Sequence, residues 1–353
     1  MFYNSLVNDY RKVTFMLTIK EVAQAANVSV ATVSRVLNHD KRVALKTKEH
    51  VLKVVKELDY TPNTLGRNLR VSATKKILVL LPSVLNQFFS SVMQGIEESV
   101  QARGYQVMMS TTRSDPQIEQ SYIEFLYNKS IDGIIFFNSE QTPEAIDRLS
   151  KKYPITFCIS SLEGAKASAV TIDNVRAAYD AVSSLIQAGH RKIALVYEPE
   201  ASHGKLRGQG YKRALAQFGL PIRPEYLQPC DSSFDSGAEA CGRLMALSDP
   251  PTAIFAISDV IAAGVVQRLL RLQKIPGRDV DVFGFDNTDI SRMITPTLST
   301  IQQPGYLMGK LATELLFEKM EDLTAPSKTI FVPHELIFRE TTRKAVKSEE
   351  EGT

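Results

Sequence analysis

Residues 18–38 constrain the fold most strongly, because their apolar pattern predicts two short helices separated by a tight break. The first helix is expected over residues 19–26, where the apolar side chains recur at helical spacing: Ile19, Val22, Ala23 and Ala26. Asn27 and Val28 form the break. Ser29 can cap the second helix, since its hydroxyl can accept a hydrogen bond from free backbone N–H groups of the first turn. The segment therefore predicts a helix-turn-helix.

The second helix has two faces of different character. Val33, Val36 and Leu37 form an apolar face. The opposite face carries small side chains and one long cation: Val30, Ala31, Thr32, Ser34 and Arg35. A helix needs such a surface if it is to lie deep in the major groove of DNA. A generic helical hairpin is the alternative that the pattern alone leaves open.

The charge of the chain is unevenly distributed. Residues 1–76 carry 14 Lys and Arg against 6 Asp and Glu, a net charge of +8. Because the whole chain is +3, residues 77–353 carry −5. A basic head on a mildly acidic body is typical of nucleic-acid binding, in which the cations supply affinity that is independent of sequence. The charge distribution therefore favours DNA binding over a generic hairpin.

The composition bounds the class of protein. A length of 353 residues suggests two or three domains. The apolar runs are strand-sized and too short to span a bilayer, and residues 1–15 lack the apolar centre of a signal peptide. Three cysteines without metal-ligand spacing indicate a reducing compartment. We therefore expect a cytoplasmic protein without a membrane partner.

Catalytic and cofactor motifs are missing from the sequence. It has no phosphate-binding GxxxxGK[ST] loop, no GxGxxG after the first core strand and no GxSxG elbow. Its five histidines form neither HExxH nor a His/Cys cluster. We therefore expect no enzyme activity, no catalytic residues, no cofactor and no metal.

The pattern along the chain predicts five segments. A flexible tail covers residues 1–15, and a helix-turn-helix domain covers residues 16–61. The third helix of this domain, near residues 46–58, is expected to bury Val51, Leu52, Val55 and Leu58. Residues 62–75 form a hinge helix of weak propensity that should fold only against a partner. Residues 76–342 form the core, and residues 343–353 form a charged, disordered tail.

From residue 77 the chain alternates between apolar strands and amphipathic helices. Strands are expected at 77–81, 106–110, 132–137, 155–159, 168–172, 193–197, 253–257, 280–285 and 329–332. Helices are expected at 88–103, 116–129, 143–152, 175–188, 206–218, 236–247, 260–272 and 305–320. Such alternation indicates parallel sheets covered on both faces. The predicted fold class is an all-α helix-turn-helix head with a hinge helix, joined to a two-lobed α/β core whose lobes the chain crosses more than once.

Polar side chains follow several of the predicted core strands. They include Asp173, Ser258, Asp259 and Asp286, with Arg207 after the 193–197 strand and Phe88 and Phe89 after the first strand. Ligands bind at the carboxyl ends of strands in open α/β sheets. Carboxylates and an arginine suit the hydroxyls of a sugar, and an aromatic pair suits an apolar ligand face. Helix capping is the alternative for Asp173 and Asp259, whereas no helix directly follows Asp286.

In combination these features resemble the lactose-repressor/galactose-repressor family of bacterial transcription regulators. The resemblance covers about residues 16–340. Its markers are Thr18-Ile-Lys-Glu-Val-Ala, the 28–38 segment, Tyr60-Thr-Pro-Asn63, Asp132-Gly-Ile-Ile and Gly284-Phe-Asp-Asn-Thr. It implies a core similar to a periplasmic sugar-binding protein, with an effector between the lobes.

The resemblance also implies roles for individual residues. Val30, Ala31 and Arg35 would face base edges. The other implied DNA contacts are Thr18, Ser29, Thr32, Ser34, Asn38, Asn63 and Arg67, with Leu69 entering the minor groove at the operator centre. The implied effector contacts are Phe88, Phe89, Asp173, Arg207 and Asp286, and we add Ser258 because it follows a predicted core strand.

One branch of the family takes a serine-phosphorylated phosphocarrier protein as co-repressor, so a global carbon catabolite regulator is the alternative function. That branch uses a Tyr-Asp pair and basic residues on the helix after the Gln-Pro motif. Here Tyr306 is kept, but other residues stand at the remaining positions: Leu307, Ala312 and Leu316. A phosphoserine needs cations, so this departure disfavours the phosphocarrier partner.

We therefore predict a homodimeric repressor of carbohydrate metabolism genes. It binds a palindromic double-stranded DNA operator and is gated by a sugar or sugar-phosphate effector, which acts through its differential affinity for two states of the core. A transport-type sugar-binding module is the rival. It requires an export signal and no DNA affinity, and the sequence opposes both.

Overall fold

A computed structural model describes residues 17–37, 40, 42–60 and 73–343 of the chain. The chain divides between Ala73 and Thr74 into two compact units, a small helical head and a large α/β core. The predicted tails and most of the predicted hinge lie outside the described residues, as do the predicted DNA contacts Asn38, Asn63, Arg67 and Leu69. No helix within the described ranges has the length and apolarity needed to cross a membrane.

Three helices form the described part of the head: α1 (Ile19–Ala25), α2 (Val30–Leu37) and α3 (Leu45–Glu57). They share a buried apolar core made of Val22, Ala23, Ala26, Val33, Val36, Val51, Val54 and Tyr60. The predicted pair of helices is confirmed. The stripe predicted for α3 is wrong at Leu52, which is 39% exposed, because Val54, three residues after Val51, faces the core instead.

Asn27 forms the tight break between α1 and α2. Its φ of 49° lies in the left-handed region, which Asn adopts more readily than most residues other than glycine. The amide of Asn27 donates to the carbonyl of Gln24 at 3.2 Å, and the amide of Val28 donates to the carbonyl of Ala23 at 3.0 Å. This pair of bonds is a Schellman motif, which ends α1 and leads the chain into α2.

The first lobe of the core is a parallel sheet covered by helices. Its strands are β1 (Lys76–Leu81), β2 (Gln106–Thr111), β3 (Gly133–Phe136), β4 (Ile155–Ile159), β5 (Ser168–Thr171) and β11 (Thr329–Phe331), in the order β11-β5-β4-β3-β1-β2. Its helices are α4 (Phe88–Ala102), α5 (Pro116–Tyr127), α6 (Pro143–Ser150) and α12 (Gly305–Glu321). In register, Lys76 of β1 lies opposite Gln106 of β2. Strand β1 is buried from its second residue onward, as its continuous apolar run predicts.

The second lobe has a smaller parallel sheet. Its strands are β6 (Ile193–Tyr197), β7 (Leu227–Pro229), β8 (Ala253–Ala256) and β9 (Asp281–Phe283), in the order β7-β6-β8-β9. Its helices are α7 (Asn174–Gln187), α8 (Ser202–Gln217), α9 (Phe234–Met245), α10 (Asp259–Arg271) and α11 (Ile290–Met293), with a 3-10 turn at Pro224–Tyr226. An antiparallel pair, β10 (Thr300–Gln302) with β12 (Glu335–Ile337), lies beside it. The sequence did not predict β7, α11, β10 or β12.

The chain passes between the two lobes of the core three times. It leaves the first lobe after β5, returns through α12 and leaves again after β11. One apolar core extends through both lobes, and a second cluster lies under α5 and α6. The predicted helix-turn-helix head and two-lobed α/β core are confirmed, whereas residues 73–75, the described end of the predicted hinge helix, are not helical. The repeated crossing brings the carboxyl ends of strands from both lobes together.

Candidate functional site

Hydroxyl side chains hold the first turns of α1 and α2. Ser29 Oγ accepts the backbone amide of Thr32 at 3.1 Å and lies 2.9 Å from Thr32 Oγ1, which confirms the predicted cap. The amide and the hydroxyl of Thr18 both donate to the carboxylate of Glu21, at 2.6 and 2.9 Å, and these bonds lower the pKa of Glu21. The N-terminal ends of both helices are therefore fixed by local hydrogen bonds.

The face of α2 predicted to read DNA points to solvent. Val33 and Val36 are buried on the opposite side, so α2 is oriented by the core of the head. Val30 is 38% exposed, and Ala31 and Arg35 are exposed as well. Thr32 and Ser34 are half-buried at the sides of this face. The result is a surface of small side chains with one long cation, suited to the floor of a major groove.

In the core, Arg207 of α8 is a buried cation, 4% exposed. Its Nε donates to Asn174 Oδ1 at 2.9 Å, and its Nη1 donates to the Ile257 carbonyl at 2.5 Å. Its guanidinium stacks on the Phe285 ring, 3.3 Å from the centroid. Burial lowers the pKa of Arg207 to about 10, so the group stays charged at neutral pH. Its Nη2 donates to no atom of the described residues.

Asp286 faces Arg207 across the site. The Arg207 Nη1 to Asp286 Oδ1 distance is 3.7 Å, and Oδ1 also accepts a hydrogen bond from Gln303 Nε2 at 2.6 Å. The φ of Asp286 is 110°, a conformation that is strained for residues other than glycine and that clusters at functional sites, and the φ of Asn287 is 53°, in the left-handed region. Burial raises the pKa of Asp286 to about 6, against the opposing effects of Arg207 and Gln303.

Asp259, at the start of α10, holds the strained turn in place. Its Oδ2 accepts the amide and the hydroxyl of Thr288, at 2.7 and 3.0 Å, and its Oδ1 accepts the hydroxyl of Thr300 at 2.6 Å. A Cβ at Gly284 would lie 2.6 Å from Asp259 Oδ1, so only glycine admits the carboxylate there. Burial, followed by the charge of Asp286, raises the pKa of Asp259 to about 7. The alternative of helix capping is therefore wrong for Asp259.

Two of the predicted effector contacts are helix caps. Ser258 Oγ accepts the amide of Ile261 at 3.4 Å at the start of α10. Asp173 accepts the amide of Arg176 at 2.8 Å at the start of α7, which is the capping alternative left open by the sequence. The carboxylate of Asp173 is nevertheless exposed.

The two predicted aromatic contacts differ in exposure. Phe88 is 4% exposed and belongs to the apolar core. Phe89 is half-buried and packs edge-on against Phe137, with 5.2 Å between the ring centroids. Of the pair, Phe89 has the more accessible ring.

The predicted effector contacts omit two amides of this site and a third amide, Asn138, that follows a core strand. Asn174 and Gln303 bind Arg207 and Asp286 directly. Asn138, after β3, donates to Glu140 Oε1 at 3.0 Å, while its buried Oδ1 has no partner among the described residues. Asn174 and Asn138 each follow an apolar strand run, and this position could have identified them. The prediction gave more weight to the carboxylates Asp173 and Asp286.

Comparison with known proteins assigns the chain to a family. Residues 18–63 match the model of bacterial regulatory proteins, lacI family, and residues 182–342 match the periplasmic binding protein-like domain. Catabolite control protein A of Priestia megaterium is 36% identical over 332 residues, which cover 93% of this chain and 99% of that protein. The chain belongs to the lacI family.

Solved structures extend the match of this lacI-family regulator to its fold. A lac repressor dimer bound to operator and the anti-inducer ONPF has a TM-score of 0.82 and 26% identity, and the match covers 92% of this chain and 99% of that one. A LacI family regulator from Enterococcus faecium with bound ribose has a TM-score of 0.68 and 29% identity, with 76% and 99% covered. The predicted family and the predicted class of DNA-binding transcriptional regulator are confirmed.

Proposed function

We propose that this lacI-family regulator represses genes of carbohydrate metabolism from a palindromic operator, and that a sugar or sugar phosphate at the Arg207–Asp286 pair sets its affinity for that operator. The observation that carries this proposal is a buried guanidinium and carboxylate that face each other at 3.7 Å. Arg207 Nη2 and Asp286 Oδ2 make no hydrogen bond to other described residues. One donor and one acceptor are therefore left for a ligand.

The chemistry of the pair suits a polyol. A hydroxyl group both donates and accepts, so adjacent hydroxyls can donate to Asp286 and accept from Arg207. A phosphate group would add charge-assisted hydrogen bonds to the planar guanidinium. The Enterococcus faecium relative was solved with bound ribose, which supports a sugar for this chain.

The head supplies the DNA contacts in this proposal. Val30, Ala31 and Arg35, exposed on one face of α2, read base edges. The phosphate contacts assigned to the described head are Thr18, Ser29, Thr32 and Ser34. The remaining predicted contacts, from Asn38 to Leu69, fall outside the described residues and stay predictions. Because the target is bacterial operator DNA, the protein acts in the cytoplasm.

Binding to a palindrome requires two copies of the chain. Strand β2 lies at the edge of its sheet, and its Met108 and Met109 are 36% and 50% exposed. A second protein surface can bury an exposed apolar edge strand of this kind. The operator-bound lac repressor structure contains a dimer, which supports a homodimer here.

The surface of α12 bears on the phosphocarrier alternative. Ala312 and Leu316 are fully buried and face the core. The predicted correspondence of these two positions with basic side chains that bind a partner at the surface is therefore wrong. The exposed positions of the helix include Glu314 and Glu318, and the neighbouring Glu98 accepts the hydroxyl of Tyr306 at 2.6 Å. Glu318 is paired with Lys328 at 2.7 Å, and the ammonium of Lys310 lies 5.8 Å from the centroid of the Tyr306 ring. Carboxylates therefore stand beside the cations that a phosphoserine would need, which disfavours a phosphorylated partner on this helix.

Ligand-induced thermal shifts test the effector site. A panel of pentoses, hexoses and their phosphates is screened with the full chain, and we expect a rise in Tm for at least one of them. Asp286→Asn should lose that rise. Asp249→Asn is the matched control, because Asp249 lies in the same lobe and is bound by Lys192 and Arg223 on the surface. An undiminished shift in the Asp286 variant would place the effector elsewhere.

A further inference from the structure

The core begins at a carboxylate that binds the first residues of the chain after Ala73. Asp132 Oδ1 accepts the backbone amide of Thr74 at 2.8 Å and the hydroxyl of Thr74 at 2.9 Å. Asp132 Oδ2 accepts the backbone amide of Lys75 at 2.8 Å. Three donors from two adjacent residues therefore meet one side chain that lies 58 residues further along the chain.

Backbone bonds hold the same segment from both sides. The amide of Gln106 donates to the carbonyl of Lys75 at 2.8 Å, and the amide of Asp132 donates to the carbonyl of Lys76 at 2.9 Å. Gln106 begins β2, and Asp132 directly precedes β3. The start of β1 is therefore fixed between its two neighbouring strands.

Lys75 adopts a conformation that needs this support. Its φ of 58° is left-handed, which is unfavourable for a side chain of this kind. The carboxylate of Asp132 accepts the Lys75 amide, and the Lys75 ammonium lies 4.2 Å from the centroid of the Tyr105 ring. Such a conformation persists only where surrounding contacts impose it, so the path of the chain at residues 74–76 is imposed by the first lobe.

We propose that Asp132 is a positioning residue for operator binding: it anchors Thr74 and Lys75 to the sheet, so that the first lobe controls the segment that connects it to the DNA-binding head. This inference rests on the proposed function, because it assumes an operator and a regulated head. It assigns to Asp132 a role in DNA affinity although the residue itself belongs to the core.

The physical reason is conformational entropy. A connecting segment that is anchored at its core end has fewer conformations to lose when the head binds an operator. If the anchor is broken, Thr74 and Lys75 must be ordered at the moment of binding. Operator binding then weakens, whereas binding to DNA of unrelated sequence, which depends on the charge of the head, stays the same.

Asp132→Asn tests this anchor in the full-length protein. Asn can still accept from Thr74, but its amide nitrogen cannot accept from Lys75. Thr74→Val is a milder second variant that removes only the hydroxyl donor. Asp147→Asn is the matched control, because Asp147 Oδ1 accepts the backbone amide of Lys166 at 2.6 Å in the same lobe, away from residues 74–76.

The DNA probes are a duplex enriched from a random pool by the wild-type chain and a scrambled duplex of the same length. We expect Asp132→Asn to bind the enriched duplex about tenfold more weakly and Thr74→Val about threefold more weakly, with the scrambled duplex unaffected. Hydrogen exchange should show faster exchange at the Lys75 amide of Asp132→Asn. Asp147→Asn should match the wild type in all three measurements.

The outcomes separate the inference from the function on which it rests. If the wild-type chain enriches no sequence, the proposed function fails, and the inference fails with it. If the wild type enriches an operator and Asp132→Asn binds it equally well despite faster exchange at Lys75, the inference alone is overturned. Equal weakening by Asp147→Asn also overturns it, because the effect would then reflect general stability. Thr74→Val keeps the test available if Asp132→Asn fails to fold.

Discussion

Replacing Asp286 by Asn should stabilise the ligand-free core while abolishing its response to the effector. The side chain is 6% exposed, and burial raises the pKa of its carboxyl from 3.8 to about 6 although Arg207 and Gln303 act in the opposite direction. The folded protein therefore disfavours the ionised form that a ligand hydroxyl would bind. Asn retains an oxygen that can accept from Gln303 and removes the buried charge.

The size of the effect follows from the pKa. A change from 3.8 to about 6 corresponds to about 3 kcal/mol, at about 1.4 kcal/mol for each pH unit. For a core of this size, that is a rise in Tm of about 5–10 °C above pH 6. The charge of Asp286 also raises the pKa of Asp259. Removing that charge makes the ionisation of Asp259 easier and therefore also stabilises the folded core.

The gain from Asp286→Asn must depend on pH. Below about pH 4 the carboxyl is neutral in both the folded and the unfolded chain, and the variant gains nothing. Between about pH 4 and about pH 6 the folded wild type keeps a proton that the unfolded chain has lost, so wild-type stability falls as the pH rises. The difference between variant and wild type becomes constant once Asp259, whose pKa is about 7, is ionised as well.

Calorimetric unfolding at pH 5 and pH 8 measures this difference. Asp249→Asn serves as the control of opposite sign, because hydrogen bonds from Lys192 and Arg223 lower the pKa of Asp249 and its charge is therefore favourable at pH 8. The reasoning is refuted if Asp286→Asn melts with the wild type at pH 8, or if its gain is the same at both pH values.

Three further predictions concern the head and the α12 surface. Arg35→Ala should lose about 1–3 kcal/mol of discrimination between the enriched operator and a scrambled duplex, with nonspecific binding retained; equal discrimination in competition titrations would remove Arg35 from base recognition. Asn27→Ala should destabilise the head by about 1 kcal/mol, because alanine is less tolerant of the left-handed conformation; hydrogen exchange of the α1 and α2 amides measures this, and unchanged exchange would contradict it. A serine-phosphorylated phosphocarrier protein should not change operator affinity, since Glu314 and Glu318 are exposed on α12 and repel a phosphate group. A clear increase in operator affinity, measured by fluorescence anisotropy titration, would contradict this prediction.

Much of the fold was predictable because its signals are local. The break at Asn27 depends on hydrogen bonds among four residues of the 23–28 segment, and strand β1 is a continuous apolar run after its first residue. Strands β10 and β12 were not predictable in the same way. Each is three residues long, and their pairing joins Thr300 to Ile337, so only the three-dimensional crossing between lobes defines them.

The candidate site was predictable to a smaller extent. The strand-end rule selected Arg207 and Asp286, which the structure brings to 3.7 Å although they are 79 positions apart. It could not separate side chains that face the site from those that cap helices, because both follow a strand. Asp173 is a cap while its neighbour Asn174 binds Arg207, and one residue of helical rotation decides between them. Gln303 follows a strand that the sequence did not reveal.

Reciprocal linkage between operator and effector tests the central claim most directly. The wild-type chain is titrated with its enriched operator in the absence and presence of the sugar that raises its Tm, and then with that sugar in the absence and presence of operator. If one regulator couples the two sites, the two Kd ratios must be equal, and a tenfold ratio corresponds to about 1.4 kcal/mol of coupling. We predict equal ratios that differ from one in the wild type and no sugar effect in Asp286→Asn. A sugar that binds the wild type tightly and leaves operator affinity unchanged would contradict the account.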